Sequence, residues 1–432
     1  MVRSIRSNLC IGAAGIGVAV FSSGEVLANG FAIRAHSAVG LGASFAGEGT
    51  PGMGLSAMFW NPAAVTQTTG IRTEIDASYV MATDNLTAKT GTSPGLLALG
   101  AQDNVGKTGL IPATYLAYQI NSDWYAGLSL NVPYGLSTHA DQWAGQQLAL
   151  SAKAESKEAT PVLGWRINDV VSVAAGPRIL WLKGTFSRAI TPAPGAGALP
   201  VELSASDTGY GFAAGATITP SPGTQLALGY RSQIDMDLHG HNSFPTSAAL
   251  GPFSGTVNKL EGKFTLPDQA IFGARQQVTG ALTLLGTIEW TGWHVVQGVP
   301  FTYTSGPAIG TNATTINFDF RDSWFFSGGG EYEWSPQLLL RAGIGYQDAP
   351  VKDAARSTPL PETNNWSFAA GLTYRLNDKL TLDLGYSYFT SPGAPINVVP
   401  GHPDFPKLLG ASLVAEAHNH LHTISTGIRY QL

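Results

Sequence analysis

The sequence predicts an all-β protein, a 14-stranded antiparallel transmembrane β-barrel that is plugged by a small N-terminal helical hatch. Hydrophobic residues make up 44% of the 432 residues, and charged residues make up only 12%. No apolar run reaches the roughly 18 residues that a membrane-spanning helix needs. Most of the chain alternates apolar and polar residues instead. Low charge without a spanning helix suits a barrel, in which strand alternation spreads the apolar residues out.

The N-terminus has the features of a secretory signal peptide over residues 1–28. Arg3 and Arg6 precede the apolar stretch LCIGAAGIGVAVF, and Val26-Leu27-Ala28 provides a small residue for cleavage after Ala28. The single cysteine, Cys10, lies in this segment. We therefore expect a mature chain without disulfides, cysteine metal ligands or a thiol nucleophile. The formal net charge of −5 provides no basic surface for nucleic acid.

Residues 29–70 are predicted to form the hatch, because they are rich in glycine and lack the alternation of apolar and polar residues that is typical of strands. The stretch SAMFWNPAAVT, residues 56–66, predicts a short helix that ends at Asn61-Pro62. The reason is that the residue before a proline avoids the α region. Asn61, Pro62 and Ala63 are assigned to the hatch. A ring of about 14 strands encloses a lumen wider than its own side chains can fill, so the barrel is either a pore or plugged.

Residues 71–432 predict the barrel from period-2 alternation. In 379–389, for example, Leu380, Leu382 and Leu384 oppose Thr381 and Asp383. The predicted strands are 71–83, 110–120, 123–133, 149–167, 170–188, 206–219, 224–239, 256–278, 281–297, 315–334, 337–347, 364–376, 379–390 and 417–431. They number about 14, an even number as bacterial outer-membrane barrels require.

The links between these strands alternate in length, which indicates a bacterial outer-membrane location. Short turns such as Asn121-Ser122 and Asn377-Asp378 alternate with long loops such as 189–205 and 240–255. Short periplasmic turns and long external loops are typical of outer-membrane barrels. The C-terminal STGIRYQL fits a barrel-assembly signal, although Leu432 replaces the usual aromatic residue. The expected surroundings are therefore the barrel-assembly machinery, outer-membrane lipid and lipopolysaccharide.

Several motifs resemble the FadL family of outer-membrane transporters, including its TodX branch. They are GLGASFAGEG (40–49), Asn61-Pro62-Ala63, NVPYGLST (131–138), LGYRSQI (228–234), LPDQAIFGARQQV (266–278) and FRDSWFFSGGGEY (320–332). They occur in order over nearly the whole predicted mature chain. The resemblance implies a monomeric passive transporter, with no cofactor and no catalytic residues, that carries long-chain fatty acids. Another branch of the family takes up monoaromatic hydrocarbons such as toluene.

The resemblance also implies that substrate is captured on the third and fourth external loops. These loops are unusually apolar here, and the residues expected to form the capture surface are Leu199, Val201, Phe244, Leu250 and Phe253. An apolar ligand would bind there through buried area, at about 25 cal/mol per Å². Alternatively, these side chains pack against each other and cap the barrel.

A pocket inside the barrel is the next implied site. Phe31 would cover it, unless Phe31 is simply a core residue of the hatch. Arg321 would bind the carboxylate, because alternation within FRDSW points it into the lumen and arginine can clasp a carboxylate with paired hydrogen bonds. Arg188 or Lys183 would supply a second cation. The alternative for Arg321 is a salt bridge with Asp319 or Asp322.

The implied exit is a lateral opening at a kink in the third strand. Pro133 cannot donate to a strand ladder, and Gly135 weakens the strand on the other side of Tyr134. Pairing is therefore expected to fail at Pro133, Tyr134 and Gly135. Alternatively, these three residues simply end the strand at a loop.

Two other functions compete with transport of hydrophobic compounds. An enzyme could use His418, His420 and His422, which share one strand face and could ligate a metal. That face continues into Ile424 and Ile428, however, which suggests that it points outward to lipid, and no GxSxG motif is present. A general diffusion porin is the second alternative, but a porin needs no Gly-rich plug. Hence we expect no metal site and no catalysis.

Overall fold

The computed structural model describes residues 30–191 and 197–432, so the predicted signal peptide lies outside the described residues. Within these ranges one sheet of twenty strands forms the wall. The first ten are β1 Ile71–Ala88, β2 Gly109–Gln119, β3 Trp124–Asn131, β4 Gly135–His139, β5 Ser151–Arg166, β6 Val171–Ile190, β7 Leu199–Ser221, β8 Thr224–Arg231, β9 Ile234–Ser243 and β10 Val257–Leu266. The others are β11 Gln269–Gln277, β12 Leu282–Thr291, β13 Gly298–Tyr303, β14 Asn312–Asn317, β15 Ser323–Glu333, β16 Leu338–Gln347, β17 Asn365–Arg375, β18 Leu380–Thr390, β19 Ala394–Val398 and β20 Leu413–Gln431.

The wall is a closed antiparallel barrel with 14 strand positions, as the sequence predicted. β1 closes the ring, because it pairs with β2 on one side and with β20 on the other. Certain positions consist of two strands in succession: β3 with β4, β8 with β9, β10 with β11, β12 with β13, β14 with β15, and β18 with β19. Closure matters because an unpaired backbone group costs several kcal/mol in lipid.

The short turns lie at one end of the barrel, as predicted, and asparagine side chains shape them. Asn121 accepts hydrogen bonds from the backbone N–H groups of Asp123 and Trp124. Asn377 bonds Lys379 and Leu380 in the same way. These are Asx turns, in which a short polar side chain imitates the backbone of a tight reversal.

Four strands that were predicted to be continuous are each interrupted in the structure, so these predictions are wrong: 224–239, 256–278, 281–297 and 315–334. Residues 232–233 lie between β8 and β9, and Pro267-Asp268 separates β10 from β11. The first break reverses the alternation, because Arg231 and Ile234 both face the lumen with two residues between them, whereas regular alternation would leave one. Leu228 below it is half exposed on the outside, whereas Ile234 and Met236 above it are buried in the lumen. A continuous strand over 224–239, as predicted, would have placed all three on one face.

The predicted third loop, 189–205, is largely strand. β6 continues to Ile190, β7 begins at Leu199, and the two pair along the whole length of β6. The predicted capture residues Leu199 and Val201 therefore lie on β7 rather than in a loop.

The hatch comprises one α-helix, α1 Ala38–Gly42, and 3-10 helices at Pro51–Met53, Leu55–Phe59 and Pro62–Gln67. Asn61 both follows one 3-10 helix and starts the next, because its side chain accepts a hydrogen bond from the N–H of Ala63. Outside the hatch, short helices are α2 Pro94–Leu97 and 3-10 helices at Ala248–Phe253, Trp293–Val295 and Phe405–Leu408. No helix in the described ranges is long and apolar enough to cross a membrane.

Glycines of the wall let the hatch pack directly against the strands. A Cβ atom on Gly229, Gly273 or Gly343 would come within 1.9 Å of a hatch carbonyl oxygen, that of Trp60, Glu48 and Ala43 respectively. A residue with a side chain would therefore push the hatch away from the wall. The abundance of glycine serves this close contact as well as the turns.

Candidate functional site

A small apolar pocket lies in the lumen, and the first described residues of the hatch cover it. Phe31 is 5% exposed, and its ring centroid lies 4.9 Å from that of Trp293 and 5.6 Å from that of Tyr134. The pocket has a volume of about 130 Å³. Its lining includes Phe31, Leu136, Leu182, Leu203, Leu238, Phe264, Phe301, Phe318 and Leu360. Phe31 thus stands at the boundary between pocket and hatch.

The wall is interrupted beside this pocket, at residues 132–134 between β3 and β4. β3 pairs with β2 only as far as Leu130, opposite Thr114. Beyond the interruption β4 pairs with β5, and an isolated bridge between Gly106 and Thr138 is the contact described on its other side. The predicted weak point at Pro133, Tyr134 and Gly135 therefore coincides with a gap in the ladder.

The hatch supplies the hydrogen bonds that the wall lacks at this gap. The N–H of Ile33 donates to the carbonyl of Pro133 at 2.9 Å, and the N–H of Gly135 donates to the carbonyl of Phe31 at 2.9 Å. Ser156 on β5 bonds both the N–H and the carbonyl of Tyr134. The carbonyl of Pro133, the N–H and carbonyl of Tyr134 and the N–H of Gly135 thus have partners without β2.

A second, larger groove of about 470 Å³ lies at the external end of the barrel. The rings of Phe244 and Phe253 stand 5.0 Å apart, and that of Tyr303 lies 6.0 Å from Phe253. Leu250 and Val201 also line this groove, and so does Arg188. Four of the five predicted capture residues therefore meet at one surface. Leu199, at the start of β7, is not among the lining residues.

A family model described as "Outer membrane protein transport protein (OMPP1/FadL/TodX)" matches residues 19–432. The chain belongs to this family. A long-chain fatty acid transport protein of Salmonella typhi is 25% identical over 411 residues, covering 89% of this chain and 92% of the relative. That of Escherichia coli (strain K12) is 24% identical over 422 residues, with 89% and 93% covered. The fold and the outer-membrane location of this FadL-family protein are thereby established.

Solved structures of the family share the fold. A Pseudomonas aeruginosa FadL homologue superposes with a TM-score of 0.81 at 23% identity, covering 93% of this chain and 99% of the homologue. The Ralstonia pickettii toluene transporter TbuX gives a TM-score of 0.67 at 14% identity, with 92% and 100% covered. At sequence identities this low, the similarity to these structures shows a shared fold and nothing more.

The predicted position of Arg321 in the lumen of this FadL-family barrel is wrong. Asp319 has a positive φ of 48°, so the segment between β14 and β15 does not keep strand alternation. Phe320 is buried instead, and the side chain of Arg321 is half exposed. Its Nη2 atom lies 2.8 Å from a carboxylate oxygen of Asp348. Arg321 is in a salt bridge, as the alternative interpretation held, but with a different aspartate.

The two other predicted cations lie in different places. Leu182 and Gly184 line the lumen pocket. Lys183, between them on β6, therefore faces outward, and its assignment to the lumen is wrong. Arg188 lines the external groove rather than the inner pocket, and one Nη atom lies 3.5 Å from the carbonyl of Gln147. Arg188 is thus placed beside the aromatic groove.

The three histidines of β20 lie on its outer face, because Leu421 between them is buried in the lumen. The Nδ1 atom of His422 is 2.8 Å from the hydroxyl of Tyr386. The residues that the structure describes contain no group of three or more His, Cys, Asp and Glu side chains that could hold a metal ion.

A buried ion cluster connects the hatch to the wall, and the sequence did not predict it. Both Arg178 and Arg231 bond the carboxylate of Glu158, at 2.7 and 2.5 Å, and all three side chains are at most 2% exposed. Arg231 also donates to the carbonyl of Phe59 and stacks on its ring at 3.8 Å. Arg178 donates to the carbonyl of Ser232, which lies in the break after β8. A charged residue at a lumen position of each of β5, β6 and β8 was the available signal, but the pairing of these strands with β7 in the closed wall was needed to bring the three side chains together.

Burial also changes the ionisation of two hatch side chains. Burial, together with the nearby Arg231 guanidinium, lowers the pKa of His36 to about 3. Its imidazole, whose ring centroid lies 4.1 Å from that of Phe59, is therefore neutral at neutral pH. Burial raises the pKa of Glu48 to about 8, which makes its carboxyl group largely protonated there. The hatch thus avoids two uncompensated charges inside the lumen.

Proposed function

We propose that this protein is a passive transporter that carries long-chain fatty acids into the outer membrane. Substrate is captured at the external groove, held in the lumen pocket beside Phe31, and released sideways through the gap at residues 132–134. The observation that carries this proposal is that one segment, Phe31 to Ile33, both covers the pocket and bridges the gap. The names of the relatives, which are long-chain fatty acid transport proteins, support the choice of substrate.

The external groove has the chemistry that a fatty acid requires. Its aromatic and aliphatic side chains provide an apolar surface for the acyl chain. Arg188 stands at the same surface, and no carboxylate within the described ranges is within salt-bridge distance of its guanidinium. A fatty-acid carboxylate could therefore pair with Arg188 without breaking an existing salt bridge.

The inner pocket has to enlarge before it can hold such a substrate. Its volume of about 130 Å³ is well below the roughly 300–1,000 Å³ of ordinary ligand sites. Phe31 is the lining residue that belongs to the hatch, so moving it adds space without distorting the wall. The same movement withdraws the hydrogen bonds of Phe31 and Ile33 from Pro133 and Gly135. Filling of the pocket and opening of the gap are thereby coupled.

Uptake of aromatic hydrocarbons is the second candidate, and the lining of the inner pocket favours it. Among the described residues of this lining, Lys153 is the one charged side chain, and its Nζ atom lies 2.9 Å from Glu155. A pocket without a free cation suits an uncharged ligand. For a fatty acid, the acyl chain would occupy the pocket and the carboxylate would be bound elsewhere.

Uptake of labelled oleate and labelled toluene distinguishes the two candidates. In a strain that lacks its own transporter, we expect the wild-type protein to restore oleate uptake. Arg188→Ala should lower that uptake about tenfold, since a charge-assisted pair of about 1.5 kcal/mol is lost. Arg321→Ala is the matched control and should transport normally.

Restored toluene uptake without oleate uptake would reject fatty acids as the substrate. Equal oleate uptake by Arg188→Ala and the wild type would remove Arg188 from the capture step. A large, steady conductance in planar bilayers would contradict a plugged transporter and favour a porin.

A further inference from the structure

A cluster of lysines lies on the outer face of the barrel, and one of them, Lys153, also borders the inner pocket. We call Lys153, Lys157, Lys183 and Trp181 the lysine patch. Strand pairing places Trp181 opposite Lys157, and Lys183 opposite Glu155. The three lysines thus surround one carboxylate, that of Glu155, so the patch carries excess positive charge.

The patch lies towards the long-loop end of β5 and β6, which is the external end. Below it on the same strands the outer face becomes apolar, with Leu163 51% exposed and Ile179 41% exposed. The Nζ atom of Lys157 lies 5.4 Å from the ring centroid of Trp181. Tryptophan prefers the boundary between lipid tails and headgroups. The lysine patch is therefore at the level of the outer-leaflet headgroups.

Hydroxyl groups extend the patch on its far side. Ser206 pairs with Lys183, and Thr185 lies two residues beyond Lys183 on the same face of β6, with its hydroxyl 3.3 Å from that of the buried Ser204. Lysine ammonium groups beside serine and threonine hydroxyls provide charge and hydrogen-bond donors for phosphate oxygens. The outer faces of β9 and β10 differ, because Lys259 and Lys263 are accompanied there by Asp235, Asp237 and Glu261.

An apolar depression of about 600 Å³ lies on the same wall, further from the external end. Its floor consists of small residues, and its rim consists of large apolar ones. The lining residues are Trp124, Leu163, Trp165, Val173, Ala174, Ala175, Ala214, Gly215, Ala216, Leu228, Gly229 and Tyr230. Leu163 lies six positions beyond Lys157 on β5, which is about 20 Å along the strand. An acyl chain anchored by its headgroup at the patch would extend into the depression.

We propose that the lysine patch and this depression form a binding site for a phosphate-bearing lipid of the outer leaflet. The lysines bind the phosphate groups, and the depression receives acyl chains. A basic residue near a membrane surface contributes about one kcal/mol to binding an anionic lipid. A free phosphate ion would gain nothing from the depression, so the two observations together specify a lipid. The site lies beside β4, on the flank of the gap.

Native mass spectrometry of the purified full-length protein in a neutral detergent tests this proposal, with diphosphoryl lipid A as the titrated probe. Lys157→Glu/Lys183→Glu should bind the probe about 30-fold more weakly or worse. Lys259→Glu/Lys263→Glu, a matched charge reversal on β10, should bind within about twofold of wild type. Ala175→Trp, which fills the depression, should also weaken binding. Heat-modifiable migration on gels verifies that each variant is folded.

The phosphate groups and the acyl chains of the probe can each be tested separately. Dephosphorylated lipid A should bind weakly, and millimolar inorganic phosphate should not displace the diphosphoryl form. Equal affinity of the two double variants would overturn the assignment to the lysine patch. Displacement by inorganic phosphate, or full affinity for dephosphorylated lipid, would overturn a site that needs both headgroup and chains.

Discussion

Locking the hatch to the kink should abolish transport. Ala32 and Tyr134 face each other in an isolated antiparallel bridge. The flanking hydrogen bonds, from Ile33 to Pro133 and from Gly135 to Phe31, make them a non-hydrogen-bonded pair. The Cα atoms of such a pair are about 4.5 Å apart, which is within the range that a disulfide spans. Ala32→Cys/Tyr134→Cys is therefore expected to oxidise without distorting the backbone.

The contacts of the segment also give a reason why its proposed opening would require substrate. Opening breaks two backbone hydrogen bonds, which contribute about 1 kcal/mol each. It also removes Phe31 from its pocket, at a cost of about 2 kcal/mol. The sum of about 4 kcal/mol leaves roughly one open molecule in a thousand. A substrate that replaces the lost contacts of Phe31 raises this fraction, whereas a disulfide prevents opening altogether.

The assay is uptake of labelled oleate by cells that carry the double variant, before and after reduction. We expect background uptake in the oxidised state and recovery after dithiothreitol. Each single cysteine variant controls for the loss of the Tyr134 ring or of Ala32. Mass spectrometry confirms the bond. Transport at the reduced rate by fully oxidised protein would refute the coupling of the segment to the gap.

Two further predictions concern how the hatch is held. Gly229→Ala should displace the hatch, because the added Cβ would lie 1.9 Å from the carbonyl oxygen of Trp60. We expect about 1–3 kcal/mol of destabilisation, measured as a lower Tm and as faster proteolysis of the hatch. Gly328→Ala is the control, because its Cβ would have no atom within 4 Å, and it should change neither the Tm nor the rate of proteolysis. Burial raises the pKa of Glu48 to about 8, with Glu74 and Glu289 adding to the rise and the Gly49 N–H and Arg34 opposing it. The folded state thus retains a proton that the unfolded chain loses near pH 4.5, so hatch stability should fall by up to about 1.4 kcal/mol per pH unit between pH 4.5 and 8. Glu48→Gln should remove this dependence in thermal melts at pH 5 and pH 8, and equal slopes for both proteins would contradict it.

The sequence by itself determined the barrel, its strand number, the plug and the position of the kink. Each of these follows from local chemistry. Side chains alternate along every strand, Asn-rich turns recur at one end, and Pro133 cannot donate to a ladder. Each of these sequence patterns involves residues close together in the chain, so it can be recognised without knowledge of the fold.

The tertiary structure decided which side chains meet, and there the sequence misled. The break at residues 232–233 reverses the alternation, so that Ile234 and Met236 line the lumen although they continue the lipid-facing pattern of Leu228. The positive φ of Asp319 turns Arg321 away from the pocket in the same manner. Alternation along the sequence does not show whether the chain keeps its register across an irregular residue. One such residue moves the lumen-facing side chains to the lipid face and the lipid-facing ones to the lumen. The grouping of Glu158, Arg178 and Arg231 likewise depends on register between strands, which is a property of the closed barrel.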